Sequence, residues 1–380
     1  METLRFMIVA GEASGDGHAA KLVSAIRDYL PNREIEFFGS AGPRMRDACV
    51  AATVEADALS IVGLAEIGRA LPMFLRTMKT LKAAAAEKRP DVAILVDFPE
   101  FNLKLAKHLK NQGFKVVYYI SPQLWAWRKY RISIIKKYVD LMLTILPFEK
   151  DWYAENGVTH VEYVGSPLAR EVHANRTKEQ FCSDHDLDTA RTIITLLPGS
   201  RKTEIARILP VMVQAAEKLA SDHLDPQFVV AIGSADQQSD VDRAVADSNA
   251  NITVVVNETY DALHAADAAA VTSGTATLET GIIGTPLAVV YKTSALNYSL
   301  IEPLIDVPHY GLINLIAGER LAKELIQHDF TPDTLADELD RLLQPDLNSD
   351  MRIRLREVVN NLGQGGASKR AAEAILRIVG

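Results

Sequence analysis

Strand-like and helix-like runs alternate along this chain, and the series restarts once near its middle. Alternation of that kind demands parallel sheets, because two parallel neighbours need a crossover and a helix is the usual one. In the first half the predicted strands are Leu4–Ala10, Glu34–Phe38, Asp91–Asp97, Lys115–Ile120, Leu141–Leu146 and Val161–Val164, with helical pattern at Gly17–Tyr29, Ala70–Glu87 and Asn102–Asn111. The second half restarts at Thr192–Leu197 and continues through Phe228–Ile232, Ile252–Val256, Asp267–Val271 and Leu287–Val290. Each set is long enough for a full sheet. The prediction is an α/β protein with two Rossmann-like domains facing a cleft, residues 1–170 and 171–345, followed by C-terminal helices over 346–380 that pack back across them. The join falls near Ser166-Pro167 and the polar stretch Asn175–Asp188.

Charge and cysteine content narrow the function. The net charge of −8 argues against a general nucleic-acid binder. It is unevenly placed, +3 over residues 1–165 and −11 over the remainder, so the first half can face something anionic. No apolar run approaches the roughly 20 residues of a membrane span. Two cysteines, Cys49 and Cys182, imply no disulfide framework, and the start runs into a strand without a signal-peptide layout, so a cytoplasmic protein is expected.

In sheets of this kind ligands sit beyond the carboxyl ends of the strands. After the first strand comes Gly11-Glu12-Ala13-Ser14-Gly15-Asp16-Gly17-His18, glycine-rich but not G-x-G-x-x-G, which fits close approach of a sugar or phosphate better than a nicotinamide cofactor. His18 is either a surface helix residue or a contact to phosphate or hydroxyl. Asp97 ends a strand too apolar to be anything but buried. A carboxylate desolvated there has its pKa raised and can serve as general base, although a strand-end cap for the next helix fits the same letters. Glu100 is the alternative carboxylate. Ser121-Pro122-Gln123-Leu124-Trp125-Ala126-Trp127-Arg128 places two of three tryptophans in one loop, as core filling or as a platform for sugar or acyl chain. Arg128, Lys129, Arg131, Lys136 and Lys137 follow closely, either a solvated face or a seat for anionic lipid or phosphate. Residues 61–82, with Met73 and Phe74 among Arg76, Lys79 and Lys82, either pack on a sheet or lie on a membrane.

In the second half Leu197-Pro198-Gly199-Ser200-Arg201 leaves a strand directly before a helix, which aims Arg201 at a diphosphate or leaves it on the surface. Ser273-Gly274-Thr275-Ala276-Thr277-Leu278-Glu279 joins a small apolar strand to another helix. The free amides and dipole of that helix start, with its hydroxyls, make a phosphate seat, and Glu279 can reach a ribose diol; ordinary capping chemistry explains the same pattern. Asp184–Asp188 imitates a D-x-D metal motif but precedes a strand, so no metal is expected, and no His/Cys cluster has zinc spacing.

Taken in order, Gly11–Asp16, Asp97-Phe98-Pro99-Glu100-Phe101-Asn102, Ser121–Trp127, Leu146-Pro147-Phe148-Glu149, Leu197–Arg201, Ser273–Glu279 and Asn314-Leu315-Ile316-Ala317-Gly318 make the chain resemble the lipid-A-disaccharide synthases, inverting glycosyltransferases of the GT-B fold. The likeness covers essentially the whole chain. Two departures stand out: Ser166 replaces a histidine frequent in relatives, and Leu312-Ile313-Asn314 replaces Leu-Pro-Asn. The resemblance implies transfer of 2,3-diacylglucosamine from UDP-2,3-diacylglucosamine to the 6-hydroxyl of 2,3-diacylglucosamine 1-phosphate (lipid X); a UDP-sugar epimerase of the same fold and a non-catalytic sugar-binding protein are the competing readings. It implies no metal or other cofactor. The second domain is then expected to hold the UDP-sugar, through Gly199, Ser200, Arg201, Ser273, Gly274, Thr275, Ala276, Thr277, Glu279 and, by resemblance alone, Asn314. The first is expected to hold the acceptor and its lipid, through Gly11, Glu12, Ser14, Gly15, Asp16, Met73, Phe74, Trp125, Trp127 and Arg128. Asp97 is the expected base, His18 the second choice. A peripheral position at the cytoplasmic face of the inner membrane follows; oligomeric state stays open.

Overall fold

A computed structural model describes residues 3–56, 67–222, 226–294, 298–299, 307–363 and 365–379, the side chains of 67–71 and 222 aside. The chain divides into two compact units, Met1–Pro167 with Gly365–Gly380, and Leu168–Gln364. Unit 1 runs β1 (Leu4–Val9), α1 (Ala13–Tyr29), β2 (Ile35–Ala41), α2 (Pro43–Asp47), β3 (Ala51–Glu55), α3 (Ile67–Lys88), β4 (Val92–Val96), α4 (Pro99–Asn111), β5 (Lys115–Tyr119), α5 (Ile132–Tyr138), β6 (Leu141–Thr144), α6 (Glu149–Glu155) and β7 (Val161–Tyr163). Its seven strands are parallel in the order β3-β2-β1-β4-β5-β6-β7.

Both faces of that sheet are covered, which is why its strands read as unbroken apolar runs. Successive residues of β1 serve opposite cores: Phe6 and Ile8 join Leu22, Val23 and Ile26 of α1, while Met7 and Val9 join Leu81, Leu105 and Leu109 of α3 and α4. The last helix belongs to the first of these cores, through Ala371, Ala372, Ala374 and Ile375. Polar contacts fix it to the same unit: Arg370 Nε donates to the Val164 carbonyl (2.7 Å) and Lys115 Nζ to the Ile378 carbonyl (2.8 Å).

Unit 2 runs α7 (Leu168–Glu171), α8 (Lys178–Asp184), β8 (Ile193–Leu197), α9 (Lys202–Asp222), β9 (Gln227–Ile232), α10 (Gln238–Val245), β10 (Asn251–Val256), α11 (Thr259–Ala265), β11 (Ala268–Thr272), α12 (Thr275–Ile283), β12 (Leu287–Tyr291), α13 (Leu312–Ala317), β13 (Glu324–Ile326), α14 (Pro332–Leu343) and α15 (Pro345–Asn360). The remaining helix, α16 (Ala367–Val379), is the one that packs on unit 1. The C-terminal stretch is therefore split, α15 with unit 2 and α16 with unit 1, and is not one separate segment. The strand order of unit 2, β10-β9-β8-β11-β12-β13, is also all parallel. In both sheets the order reverses once, between β1 and β4 and between β8 and β11. Those reversals open the crevices where such sheets take ligands.

Candidate functional site

At the unit 1 reversal β1 and β4 run side by side, Phe6 opposite Val92 through Val9 opposite Leu95. The residues that follow, Gly11-Glu12 and Asp97-Phe98, therefore emerge together. Strand alternation continued one residue would send position 97 to the face of Ala93 and Leu95, inside the core. Instead Asp97 and Phe98 both take left-handed backbone, φ 46° and 52°. Each such residue costs on the order of 1–3 kcal/mol, so the surroundings must enforce it. The Phe98 ring packs over Gly11, where a Cβ would stand 2.3 Å from a ring carbon. Phe98 also stacks with Phe101 and Phe74, ring centroids 5.6 and 5.9 Å away, an aromatic cluster that begins at the residue after Asp97.

The half-buried Asp97 carboxyl is raised to about 6, mainly by loss of hydration and secondarily by the like charge of Glu12; an amide hydrogen bond from Phe98 opposes the rise. A carboxylate poised just below neutral pH is ionised yet basic enough to take a proton. Glu100, the competing carboxylate, is committed elsewhere: Arg131 donates to both of its oxygens (2.8 and 2.7 Å) and Arg128 to one. Those cations hold its pKa below the usual range despite partial burial. His18 lies half-buried on α1.

The 121–128 loop is organised by the last residue of the Leu146–Glu149 motif, to which the sequence assigned no role. Glu149 is fully buried at the start of α6 and accepts from Ser121 Oγ (2.9 Å), Trp125 Nε1 (3.2 Å) and the amides of Ile145 (3.2 Å) and Leu146 (3.0 Å). Burial pushes it up to about 7, against those four donors. Trp125 is thus a buried strut, edge-on to Phe148 at 5.1 Å, and not the open platform expected of it. Trp127 is 45% exposed with the Arg128 guanidinium 4.1 Å above its ring. Leu75 (62%) and Tyr130 (68%) are also exposed. Met73 and Phe74 are half-buried on α3, and the part of the membrane-facing expectation that falls on residues 61–66 lies outside the described residues.

In unit 2, β8 and β11 are adjacent, Ala268 opposite Ile194 through Val271 opposite Leu197, and Thr272 Oγ1 donates to the Leu197 carbonyl (2.8 Å). Gly199-Ser200-Arg201 and Ser273-Gly274 leave these strand ends directly into α9 and α12. Gly274 has φ 147° and nothing within 4 Å of where a Cβ would stand, so this side of the helix start is open. The amides of Thr275 and Ala276 have no acceptor among the described residues. Ser273 Oγ donates to the Tyr310 carbonyl (2.6 Å) and keeps its lone pairs. At the other helix start the seat is already filled. Glu204 Oε2 accepts the Ser200 and Arg201 amides (3.3 Å each), and Oε1 accepts from the Arg201 guanidinium (3.2 Å). What remains for a ligand there is the exposed guanidinium itself.

One helical turn into α12, Glu279 is half-buried, its pKa raised by burial and opposed by a hydrogen bond from Tyr260. It shares a cavity of about 220 Å³ with Asn175, Gly233, Asn257, Thr259, Tyr260 and Asp261. Gly233 and Asn257 follow the ends of β9 and β10, so this cavity too lies at the carboxyl edge of the sheet. Tyr260 was legible in principle, since Asn257-Glu258-Thr259-Tyr260 directly follows an apolar strand. Among the described residues no group of three or more His, Cys, Asp or Glu side chains could hold a metal ion.

Several expected contacts prove to be internal. The glycine-rich segment is not a loop, since α1 begins at Ala13. Glu12 and Ser14 stay exposed, but Gly15 is buried against Ala10 and Val96. Asp16 is buried and accepts the amides of Gly42 (2.8 Å), Arg44 (2.9 Å) and Met45 (3.2 Å), capping α2 instead of meeting an acceptor. Asp16→Ala should cost about 3 kcal/mol by orphaning buried amides; a loss under about 1 kcal/mol in urea unfolding would contradict that role. Thr277 is buried, its hydroxyl donating to the Gly274 carbonyl (2.8 Å) and accepting from the Leu312 amide (3.0 Å). Asn314 spends its carboxamide on Ala322 and Glu324, with Nδ2 donating at 2.7 and 2.9 Å and Oδ1 accepting at 2.8 Å. Thr277 thus ties α12 to the start of α13, and Asn314 ties α13 to the approach to β13.

A sequence model of the family described as lipid-A-disaccharide synthetase matches residues 6–378. The chain belongs to that family. It is 42% identical over 376 residues to the lipid-A-disaccharide synthase of Trichlorobacter lovleyi, covering 99% of this chain and 97% of the relative. It is 39% identical over 377 residues to that of Geobacter sulfurreducens, with the same coverage. Among solved structures it is similar to Acinetobacter baumannii MurG (TM-score 0.56, 12% identity, covering 99% and 100% of the two chains). It is likewise similar to the Neisseria meningitidis UDP-GlcNAc 2-epimerase bound to UDP-GlcNAc (TM-score 0.64, 12% identity, 99% and 100%). These structural likenesses show the GT-B fold alone, shared by transferases and epimerases. The sequence relationship separates the two, and places this enzyme among the glycosyltransferases of lipid A biosynthesis, the family its motifs resemble.

Proposed function

We propose that this synthase transfers 2,3-diacylglucosamine from UDP-2,3-diacylglucosamine to the 6-hydroxyl of 2,3-diacylglucosamine 1-phosphate, with Asp97 as the base. The carrying observation is a carboxylate raised to about 6 beside an aromatic wall, at the sheet reversal of unit 1. Aromatic surface suits an acylated acceptor, and each buried methylene contributes about 0.8 kcal/mol. The acceptor oxygen attacks the anomeric carbon as the bond to UDP breaks, and Asp97 takes the hydroxyl proton. The anomeric centre inverts in one displacement.

In unit 2 the open amides of Thr275 and Ala276, the helix dipole and Arg201 hold the leaving diphosphate. Ser273 and Gly274 shape that seat, with Gly199 and Ser200 fixing the base of Arg201. Glu279 accepts from the ribose hydroxyls, and the cavity around Tyr260 takes the rest of the nucleoside. These groups replace a divalent cation, so full turnover is expected in excess EDTA. A strict requirement for added Mg²⁺ or Mn²⁺ would overturn the arrangement.

No helix among the described residues is long and apolar enough to cross a membrane. The exposed Leu75, Trp127 and Tyr130, set among Arg76, Lys79, Arg128 and Lys129, support a peripheral position at the cytoplasmic face of the inner membrane. The reaction is tested by incubating purified protein with both lipids: UDP and a β-1,6-linked disaccharide should form in equal amounts. An isomerised sugar nucleotide without disaccharide would reject the proposal.

A further inference from the structure

We propose that Asn102 and Tyr118 act as a backbone clamp that sets the orientation of Asp97, as positioning residues for proton transfer. The inference rests on Asp97 being the base. Asn102, fully buried on α4, directs the two hydrogens of Nδ2 at three carbonyls, one hydrogen being shared: Asp97 (2.8 Å), Val96 (3.2 Å) and Val9 (3.4 Å). Tyr118, fully buried on β5, donates its hydroxyl to the same Asp97 carbonyl (2.6 Å). Two donors from two elements thus meet on the carbonyl of Asp97, the first residue of the left-handed pair.

The Asn102 carboxamide has only one workable orientation, since the flipped form would set its oxygen against three carbonyls. In that orientation Oδ1 is buried without a hydrogen-bond partner. A side chain that leaves its own oxygen empty while its nitrogen reaches both strand ends is placed there for the carbonyls. Through Val9 it also ties β1 to β4, and so keeps Gly11 beneath the Phe98 ring. With the clamp released, the 97–98 backbone can relax toward ordinary dihedrals, and the carboxylate leaves its desolvated position.

Neither donor touches the Asp97 carboxylate, so its acidity reports its placement and not a lost hydrogen bond. The groups facing that carboxylate are Glu12 from the β1–α1 connection, Tyr118 from β5 and the Phe98 amide on its own segment, with Glu100 turned to Arg128 and Arg131. Release into water returns an aspartate toward the ordinary value of about 4.

The test compares Tyr118→Phe, Asn102→Leu and Asp97→Asn in the full chain, measuring kcat, KM, the acidic limb of the kcat/KM–pH profile and UDP affinity. For Tyr118→Phe and Asn102→Leu the clamp predicts kcat lower by about 10- to 100-fold, a smaller loss than removal of a general base brings. UDP affinity should be unchanged, and the acidic limb should move from about 6 toward 4. If Asn102→Leu does not fold, Tyr118→Phe, which removes one oxygen, decides alone. Wild-type kcat and an unmoved acidic limb in folded Tyr118→Phe would overturn the clamp even where Asp97→Asn is inactive. Near-normal turnover of Asp97→Asn would instead overturn the base assignment, and the clamp's purpose with it.

Discussion

Asp97→Asn is expected to lower kcat by about 10²- to 10⁴-fold, the range that general-base assistance supplies. The amide fills nearly the same volume and can keep the Phe98 contact, but it cannot take a proton from the acceptor hydroxyl. Because the nucleotide seat is assigned to unit 2, UDP affinity should stay within about twofold. The wild-type pH profile carries a matching expectation. With its pKa raised to about 6, Asp97 is mostly ionised at neutral pH and becomes protonated as pH falls through 6, so kcat/KM should drop toward tenfold per unit below that point. Steady-state kinetics across pH 5–8 checks both statements. An acidic limb near 4, or an Asp97→Asn variant with near-normal kcat, would contradict the assignment.

Glu279→Ala is expected to weaken UDP binding by roughly 10- to 100-fold while leaving kcat at saturating donor within a few-fold. A hydrogen bond to a charged group in a partly buried site contributes about 1.5–3 kcal/mol, and each 1.4 kcal/mol is about tenfold in affinity. Because the ribose hydroxyls assigned to Glu279 take no part in the bond exchange, its loss should be felt in binding. Burial raises its pKa, so acidification should loosen UDP at a higher pH than an exposed glutamate would allow. Calorimetric titration of UDP into both proteins measures this, and an unchanged Kd would remove Glu279 from the nucleotide site.

Much of the architecture is legible because buried parallel strands must be continuously apolar, as Val92–Val96 and Ile193–Leu197 are. The strands missed by that reading lack the signal. Ala51–Glu55 is a sheet edge of exposed and half-buried residues, and Glu324–Ile326 is three residues long. Asp97 could be picked out since an acid directly ends an apolar strand. Asp16 misled because glycines suggest a loop, whereas here the helix packs closely and the acid caps a helix beginning 27 residues later. Glu149 and Asn102 stand in motifs that mark the resemblance, but their roles, and Tyr118 altogether, were not legible. The partners that give them their roles come from distant segments, Ser121 and Trp125 for Glu149, Val9 for Asn102 and Asp97 for Tyr118, and no local pattern announces such convergence.

The account turns on the unit 2 reversal being the nucleotide seat, and a crystal structure with UDP bound tests it most directly. The diphosphate should lie against the Thr275 and Ala276 amides within reach of Arg201, with the ribose diol on Glu279 and no metal between the phosphates. A diphosphate found elsewhere on the sheet, or bridged by a divalent ion to side chains outside this helix start, would contradict it.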